Sequence, residues 1–270
     1  MYEGQVIWIT GASSGIGEAL AVELAADRAR LVLSARREPE LLRVKDRCLE
    51  QGLAAGDVLV LPLDVTDHEA MPAAVARVIA TFGRVDMLIN NAGISQRSLC
   101  LETDMSVYRR LMEVEVLGQI ALTQQVLPVM LEQGGGHIVV TSSVAGKVGA
   151  AYRTGYCAAK HAVMGFFDAL RAEVAQHGIA VSTLTPGFIR TDISVNALQG
   201  DGSSFNRVDT NIAGGMDPTR CAQIILRGLR KRKPEIAVGK GVEMHALWLK
   251  RLFPRLLFKI VEKMARSGRA

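Results

Sequence analysis

The sequence predicts an α/β fold of the Rossmann type: a doubly wound, parallel sheet of about seven strands with helices on both faces. Short runs rich in Val, Ile and Leu alternate with longer segments of helical periodicity. The runs are continuously apolar, as expected for strands buried on both faces, and the segments between them are long enough for crossover helices. The seven runs occupy residues 5–10, 29–35, 57–64, 85–91, 136–143, 179–186 and 234–239.

Composition and charge indicate one large globular domain with a basic extension. The chain has 270 residues, of which 49% are apolar and 22% are charged, which is ordinary for a globular protein. Residues 240–270 hold eight Lys or Arg and two Glu, whereas residues 1–239 hold 24 basic and 25 acidic residues. Since the positive charge belongs to the extension, we expect no nucleic-acid partner for the body of the protein.

Cysteine usage favours a reducing compartment. Cys48, Cys100, Cys157 and Cys221 show no C-x-x-C spacing and no histidines at ligand spacing. We therefore expect free buried thiols and no metal site. No signal-peptide pattern precedes the first apolar run, which is too short to span a bilayer. These features predict a cytoplasmic protein.

A glycine-rich turn follows the first strand, in the segment "TGASSGIGEAL". Gly11 would let the chain turn sharply, and Gly15 and Gly17 would let the backbone approach a pyrophosphate at the start of a helix, where free N–H groups favour an anion. The spacing is G-x-x-x-G-x-G, not the commoner G-x-G-x-x-G. A tight turn without a ligand stays open as the alternative.

The end of the second strand predicts which dinucleotide binds. NAD sites tend to carry Asp or Glu there, whereas arginine accommodates the 2′-phosphate of NADP. The sequence reads "LVLSARRE", with Ala35 in the place of the acid, followed by Arg36 and Arg37. A guanidinium binds a phosphate in a fork, so we predict NADP(H). The alternative is that both arginines are solvated surface charges.

Six short segments in this order resemble the short-chain dehydrogenase/reductase family, and the resemblance covers nearly the whole chain. Each segment alone is unremarkable, but six at the spacings the family uses form a specific signal. Residues 1–239 are thereby interpreted as a single dinucleotide-binding catalytic domain. The segments are "TGASSGIG" at 10–17, "LDV" at 63–65, "NNAG" at 90–93, Ser143, "YCAAK" at 156–160 and "PGFIRT" at 186–191.

The resemblance implies a catalytic Ser143, Tyr156 and Lys160. On a helix, Tyr156 and Lys160 lie one turn apart on the same face. Tyr156 is the expected general acid/base, Lys160 would favour its phenolate and reach the nicotinamide ribose, and Ser143 would bind the substrate oxygen. Tyr152 has no lysine four residues later, so we expect it only in the wall of the substrate pocket.

Further cofactor contacts follow from the same resemblance. The glycine-rich turn would hold the pyrophosphate, the third strand's end the adenine, the fourth strand's end the adenosine ribose, and the sixth strand's end the nicotinamide. The expected residues are Gly11, Ser13, Ser14, Gly15, Ile16 and Gly17; Asp64 and Val65; Asn91, Ala92 and Gly93; and Pro186, Gly187, Ile189 and Thr191.

One position departs from the family pattern. The family usually has an asparagine in the helix after the fourth strand, but the sequence reads "EVEVLG", with Glu115 in that slot. A glutamate that points inward would hold Lys160 ionised. The substitution could equally slow the exchange of protons through Lys160, or mean that catalysis has been lost. The alternative to an enzyme is thus a weakly active or inactive NADPH-binding protein that docks at a membrane.

Two segments are expected to shape the substrate site. Residues 194–217 are rich in Gly, Ser, Asn and Asp and are predicted to form a lid. Residues 244–266 form an amphipathic, basic helix that Pro254 interrupts. Two interpretations of this tail stay open: an interfacial helix on an anionic membrane, or a helix that packs on a partner subunit or covers the substrate pocket. The resemblance also implies a homodimer or homotetramer, and a small-molecule carbonyl or alcohol as substrate.

Overall fold

Seven parallel strands form the centre of the protein in the computed structural model, which describes residues 2–266. They are β1 (Val6–Thr10), β2 (Arg30–Ser34), β3 (Val58–Val60), β4 (Met87–Asn90), β5 (Gly136–Thr141), β6 (Ile179–Pro186) and β7 (Glu235–Val238). The order across the sheet is β3-β2-β1-β4-β5-β6-β7, and all neighbours are parallel. The predicted fold class is confirmed. The order reverses between β1 and β4, where doubly wound sheets bind ligands at the carboxyl ends of their strands.

Helices cover both faces of the sheet. A π-helical turn, Glu113–Leu117, interrupts the helix that follows β4. This helix, Met105–Glu132, is long and apolar enough to span a membrane by length and composition, but its Leu122 and Val126 are fully buried in the core, so we interpret it as a core helix. The helices are α1 (Gly15–Ala26), α2 (Glu38–Glu50), α3 (Met71–Phe82), α4 (Met105–Met112), α5 (Gly118–Glu132), α6 (Thr154–Val174), α7 (Thr210–Ala213), α8 (Pro218–Arg230), α9 (Glu243–Leu252) and α10 (Pro254–Arg266).

Two hydrophobic layers explain why the strands read as continuous apolar runs. Successive side chains of a strand point to opposite faces of the sheet. In β1, Ile7 and Ile9 pack against α1, α2 and α8, whereas Val6 and Trp8 pack against α3, α5 and α6. All four side chains are fully buried. Apolar residues are therefore needed at every position of the strand.

The cysteine prediction needs one correction. Cys48, Cys157 and Cys221 are buried free thiols, but Cys100 is exposed. It begins a short surface turn, Cys100–Glu102, that contains no buried residue. The segment around Cys100 has no hydrophobic periodicity, so its exposure could not be predicted from the sequence.

The polar segment 194–217, which is predicted to form a lid, lies at the carboxyl edge of the sheet and contributes residues to the cleft there. Leu198 forms isolated bridges with Gln96 and Ser204, and its N–H donates to the Ser95 carbonyl at 2.8 Å. Ala197 and Ile212 are buried. The segment is thus held to the loop that follows β4, next to the ends of the central strands.

The tail folds back onto the same edge. Leu257 of α10 is buried against Val144 and Val148, which follow β5, and Leu249 and Val261 pack around them. Residues 244–266 therefore fold as two helices, α9 and α10, and Pro254 is the first residue of α10. Residues 267–270 of the predicted extension lie outside the described residues.

Candidate active site

One cleft of about 1080 Å³ runs along the carboxyl edge of the sheet and brings together nearly all of the predicted site residues. Among the described residues, only Gly17 and Tyr152 of the predicted set are not part of its lining. The predicted residues that line it are Gly11, Ser13, Ser14, Gly15, Ile16, Arg36, Arg37, Asp64, Val65, Asn91, Ala92, Gly93, Glu115, Ser143, Tyr156, Lys160, Pro186, Gly187, Ile189 and Thr191.

The glycine-rich turn has the shape of a phosphate cradle. Gly11 and Gly15 have φ of +65° and +59°, a region that favours glycine. A Cβ on Gly11 would lie 2.8 Å from the Ala92 backbone, and one on Gly17 would lie 2.6 Å from Asn91 Nδ2. Gly17 therefore allows close packing behind the turn, while α1 begins at Gly15 and directs its free N–H groups into the cleft. The turn fits a pyrophosphate.

The adenosine end of the cleft carries positive charge. Arg36 and Arg37 follow β2, are exposed and line the cleft beside Ala35. Asp64 lies nearby, and its carboxylate accepts hydrogen bonds from Thr66 N at 3.0 Å and Thr66 Oγ1 at 2.8 Å. Partial burial opposes its ionisation, but these hydrogen bonds and the charge of Arg36 outweigh burial and lower the pKa of Asp64.

Three buried titratable side chains form the centre of the cleft. Lys160 Nζ lies 2.6 Å from Glu115 Oε2 and donates to the Thr141 carbonyl, also at 2.6 Å. It also lies 5.7 Å from the centroid of the Tyr156 ring. Tyr156 and Lys160 share one face of α6, as the spacing predicts. Glu115 is 0% and Lys160 4% exposed in the side chain, so this ion pair is shielded from water.

The π-helical turn determines the direction in which the Glu115 side chain points. The turn carries Glu115 inward, where its Oε1 accepts a hydrogen bond from Ile94 N at 2.7 Å. Gly93 makes room for it, since a Cβ there would lie 2.7 Å from the same oxygen. Glu115 therefore points at Lys160 and links the helix after β4 to the loop that follows the same strand.

The pKa of Tyr156 is higher than the sequence led us to expect. Burial raises it; the Lys160 ammonium lowers it, but Glu115 adds to the rise, and the net shift is upward. For Lys160, burial lowers the pKa, yet Glu115 and Tyr156 more than offset this and the net shift is upward. Burial raises the pKa of Glu115 against the pull of Lys160. The contribution of Lys160 has the predicted sign, but desolvation is larger.

Ser143 is placed beside Tyr156 by the end of β5. Its Oγ accepts from Ala145 N at 3.1 Å, which caps a short turn, and a hydrogen bond between Ser143 and Tyr156 favours the phenolate. Gln96 fixes the start of α6, because its Oε1 accepts from Gly155 N at 2.8 Å. The hydroxyl groups of Ser143 and Tyr156 therefore converge on one region of the cleft.

Tyr152 does not take the place we expected. Its side chain is 37% exposed, and it is not among the residues that line the cleft. Its φ of +62° lies in the left-handed region, and its carbonyl accepts from Ser98 N at 3.0 Å. This backbone turn directs the side chain towards solvent, so the predicted contact of Tyr152 with substrate is not supported.

Most residues of the substrate half of the cleft carry no sequence motif and were not predicted. Glu243 of α9 accepts a hydrogen bond from Phe188 N at 3.2 Å, which ties the tail to the end of β6. Residues of the tail therefore line the cleft, whereas contact of the tail with a membrane or a partner subunit stays a prediction. Helical periodicity signalled an apolar face in the tail, but no motif signalled its target. The residues missed include Arg97, Arg153, Phe188, Glu243, Trp248, Leu249 and Leu257.

Comparisons with known proteins identify the family. A family model described as short chain dehydrogenase matches residues 5–201. Dehydrogenase/reductase SDR family member 7 from Homo sapiens is 43% identical over 264 residues, 97% of this chain and 78% of the relative.

Solved structures give the same assignment. A short-chain dehydrogenase/reductase from Burkholderia phymatum in complex with NAD has a TM-score of 0.83 at 25% identity, with 94% of this chain and 95% of that chain covered. An alcohol dehydrogenase from the archaeon Thermococcus sibiricus, complexed with 5-hydroxy-NADP, has a TM-score of 0.74 at 27% identity, with 87% and 96% covered. The chain belongs to the short-chain dehydrogenase/reductase family of oxidoreductases.

Proposed function

We propose that the protein is an NADP(H)-dependent oxidoreductase that transfers a hydride between the nicotinamide and a carbonyl/alcohol pair on a largely apolar substrate. The observation that carries this proposal is the buried Tyr156, Lys160 and Glu115 cluster beside a glycine-rich turn shaped for a pyrophosphate. When bound, the dinucleotide supplies or accepts the hydride. The side chains of the protein position the substrate and move the proton.

The raised pKa of Tyr156 suits it to be a proton donor. At neutral pH its hydroxyl is protonated, so it donates the proton to a carbonyl oxygen that Ser143 also binds. Lys160 then stabilises the phenolate that is left, and Glu115 keeps Lys160 charged and fixed in place. This arrangement supports carbonyl reduction as the working direction.

Rates of NADPH oxidation with a broad panel of ketones and aldehydes test the proposed function. We expect turnover of apolar carbonyl compounds that requires both protein and substrate. A protein that binds NADPH tightly but reduces no member of the panel contradicts the enzyme and supports the alternative, an inactive NADPH-binding protein. The geometry favours the enzyme, because Glu115 faces Lys160 and leaves the catalytic side chains in reach of each other.

The preference for NADP(H) rests on Arg36 and Arg37, which line the cleft where NAD sites carry an acid. Replacing both by alanine is expected to raise the KM for NADPH about 10- to 100-fold, since each hydrogen bond to a charged group contributes about 1.5–3 kcal/mol and these side chains are exposed. NADH is the internal control, and its KM should change little. Equal changes for the two cofactors would show that the arginines do not read the 2′-phosphate.

The tail also presents a surface that fits an anionic membrane, which we propose as a peripheral docking site. Trp248 and Phe253 are 69% and 60% exposed, and Leu252, Leu256 and Phe258 are also exposed. Basic side chains accompany them, namely Lys250, Arg251, Arg255, Lys259 and Lys263. Apolar side chains among basic ones suit the headgroup boundary of anionic lipids. The same helices line the cleft, so an apolar substrate would enter from the lipid surface.

Charge reversal tests the membrane proposal. The double variant Arg255→Glu/Lys259→Glu is expected to bind vesicles containing phosphatidylserine at least tenfold more weakly, because each basic residue near such a surface contributes about 1 kcal/mol. Arg227→Glu/Lys231→Glu, on the body of the protein, is the matched control and should sediment like the wild type. If binding to vesicles is unchanged but the oligomer dissociates, the face belongs to a partner subunit of a homodimer or homotetramer instead.

A further inference from the structure

Three charged side chains from separate segments meet at the substrate end of the cleft. Asp209, which precedes α7, accepts hydrogen bonds on one oxygen, Oδ2, from Nη2 of both Arg97 and Arg153, each at 3.0 Å. Arg97 lies in the loop after β4, and Arg153 immediately precedes α6. Their side chains are only 8% and 16% exposed, and that of Asp209 is 15% exposed. We call these three residues the arginine cluster.

The arginine cluster carries one positive charge in excess. Asp209 has little capacity left, because its other oxygen, Oδ1, accepts from Asn211 N at 2.9 Å and caps α7. Burial and the charge of Arg153 lower the pKa of Arg97, and Asp209 offsets only part of this. If the arginine cluster served only to hold residues 194–217 in place, as a latch, one arginine would be enough, since a single guanidinium pairs with a carboxylate through two hydrogen bonds. A second guanidinium in this shielded position is unfavourable unless another anion joins it.

The excess charge lies beside the proposed proton donor. Arg153 stands three residues before Tyr156, and its charge favours the Tyr156 phenolate. Its guanidinium lies 5.9 Å from the centroid of the Phe188 ring, and Phe188 directly follows Pro186 and Gly187 at the expected nicotinamide site. Arg97 and Arg153 both line the cleft. A group that binds between them is therefore close to a carbonyl held by Tyr156.

The remaining charges and surfaces of the substrate half favour a substrate with one charged end. Of the acids there, Glu243 is engaged by Phe188 N, and Asp192 is exposed at the rim. The opposite wall is apolar and comes from the tail and from the turn after β5. Its side chains include Val144, Val148, Leu249, Leu257 and Val261.

We propose that Arg97 and Arg153 form a recognition site for an anionic group, a carboxylate or a phosphate, on the substrate. The group lies next to the reacting carbonyl, and the apolar remainder of the substrate lies along the tail. Arg97 Nη1 donates to the Gln96 carbonyl at 2.7 Å and to Ser95 Oγ at 3.1 Å, so Arg97 contributes mainly its charge. The donors for such a group come chiefly from Arg153, whose planar guanidinium matches the oxygens of a carboxylate or phosphate. This inference rests on the proposed oxidoreductase function and names the class of substrate: an acidic, otherwise apolar carbonyl compound.

Matched substrates test the inference. For medium-chain keto acids, their amides and their phosphonate analogues, kcat/KM of the wild type should favour the anion over the amide about 10- to 100-fold. Comparing kcat/KM for the carboxylates with kcat/KM for the phosphonates shows which anion fits the site. In Arg153→Gln this anion-to-amide ratio should fall towards one, whereas Arg153→Lys, which keeps the charge, should retain part of it. Arg227→Gln, on α8 outside the cleft, should keep the wild-type ratio.

A binding measurement keeps the test decisive if turnover is absent. The keto acid and its amide are titrated into Tyr156→Phe loaded with NADPH, with and without Arg153→Gln. Tighter binding of the anion that is lost with Arg153→Gln supports the site. An unchanged ratio in Arg153→Gln, or equal binding of acid and amide, overturns it and leaves the arginine cluster as a latch. Reduction of neutral ketones with no anion preference would overturn this inference alone, whereas binding without any turnover would overturn the proposed function alone.

Discussion

Tyr156→Phe is expected to abolish carbonyl-dependent NADPH oxidation while the protein still binds NADPH. The substitution removes only the hydroxyl group, and a positioned proton donor contributes about 100- to 10,000-fold to the rate. The ring stays in place, since Tyr156 packs with Val107, Leu111 and Ala145 in a small apolar cluster. Loss of one hydrogen bond costs about 1 kcal/mol, so the Kd for NADPH should rise less than tenfold. Steady-state rates and a fluorescence titration measure the two quantities.

Tyr152→Phe is the matched control for this prediction. The same group is removed four residues earlier, from a side chain that is exposed and outside the lining of the cleft. Its kcat should equal that of the wild type. If Tyr156→Phe retains a tenth or more of the wild-type kcat, the proton comes from another group, and the role given to Tyr156 is wrong.

The sequence predicted the sheet and the cofactor half of the cleft because both depend on local patterns. Strands buried on two faces require an apolar residue at every position, as Val6, Ile7, Trp8 and Ile9 show. The turn at Gly11 and Gly15 needs a backbone conformation that few residues other than glycine adopt, so its composition shows its shape. Both the apolar run and the glycine-rich turn lie within ten consecutive residues, so the sequence alone predicts them.

The substrate half was less predictable because it depends on contacts between distant segments. Arg97, Arg153 and Asp209 are far apart in the sequence, and each reads as an ordinary surface charge until the fold joins them. The net pKa shift of Tyr156 also depends on Glu115, which approaches from another helix. Spacing along α6 predicted the neighbour of Lys160 on its own helix, but gave no measure of burial, which is the larger effect.

Glu115→Gln is expected to lower the free energy of unfolding by about 3–5 kcal/mol, because Lys160 must then either keep a buried, unpaired charge or give up its proton in the folded state. In a chain of this size, about 1 kcal/mol shifts Tm by roughly 2–4 °C, so thermal unfolding should show a fall on the order of 10 °C. The remaining partner of Lys160 Nζ, the Thr141 carbonyl, carries no formal charge and cannot replace the carboxylate. Activity should fall as well, since an unpaired buried lysine tends to lose its proton and no longer stabilises the phenolate.

The double variant Glu115→Leu/Lys160→Met separates stability from catalysis. Apolar residues of similar volume often replace a buried ion pair without loss of stability, so the Tm of the double variant should recover most of the fall seen with Glu115→Gln. Its activity should stay lost, because the Lys160 ammonium, which lowers the pKa of Tyr156 more than Arg153 does, is gone. A Glu115→Gln protein with the wild-type Tm would mean that Lys160 is not held charged by Glu115. A double variant that regains activity would mean that Tyr156 does not need the Lys160 ammonium.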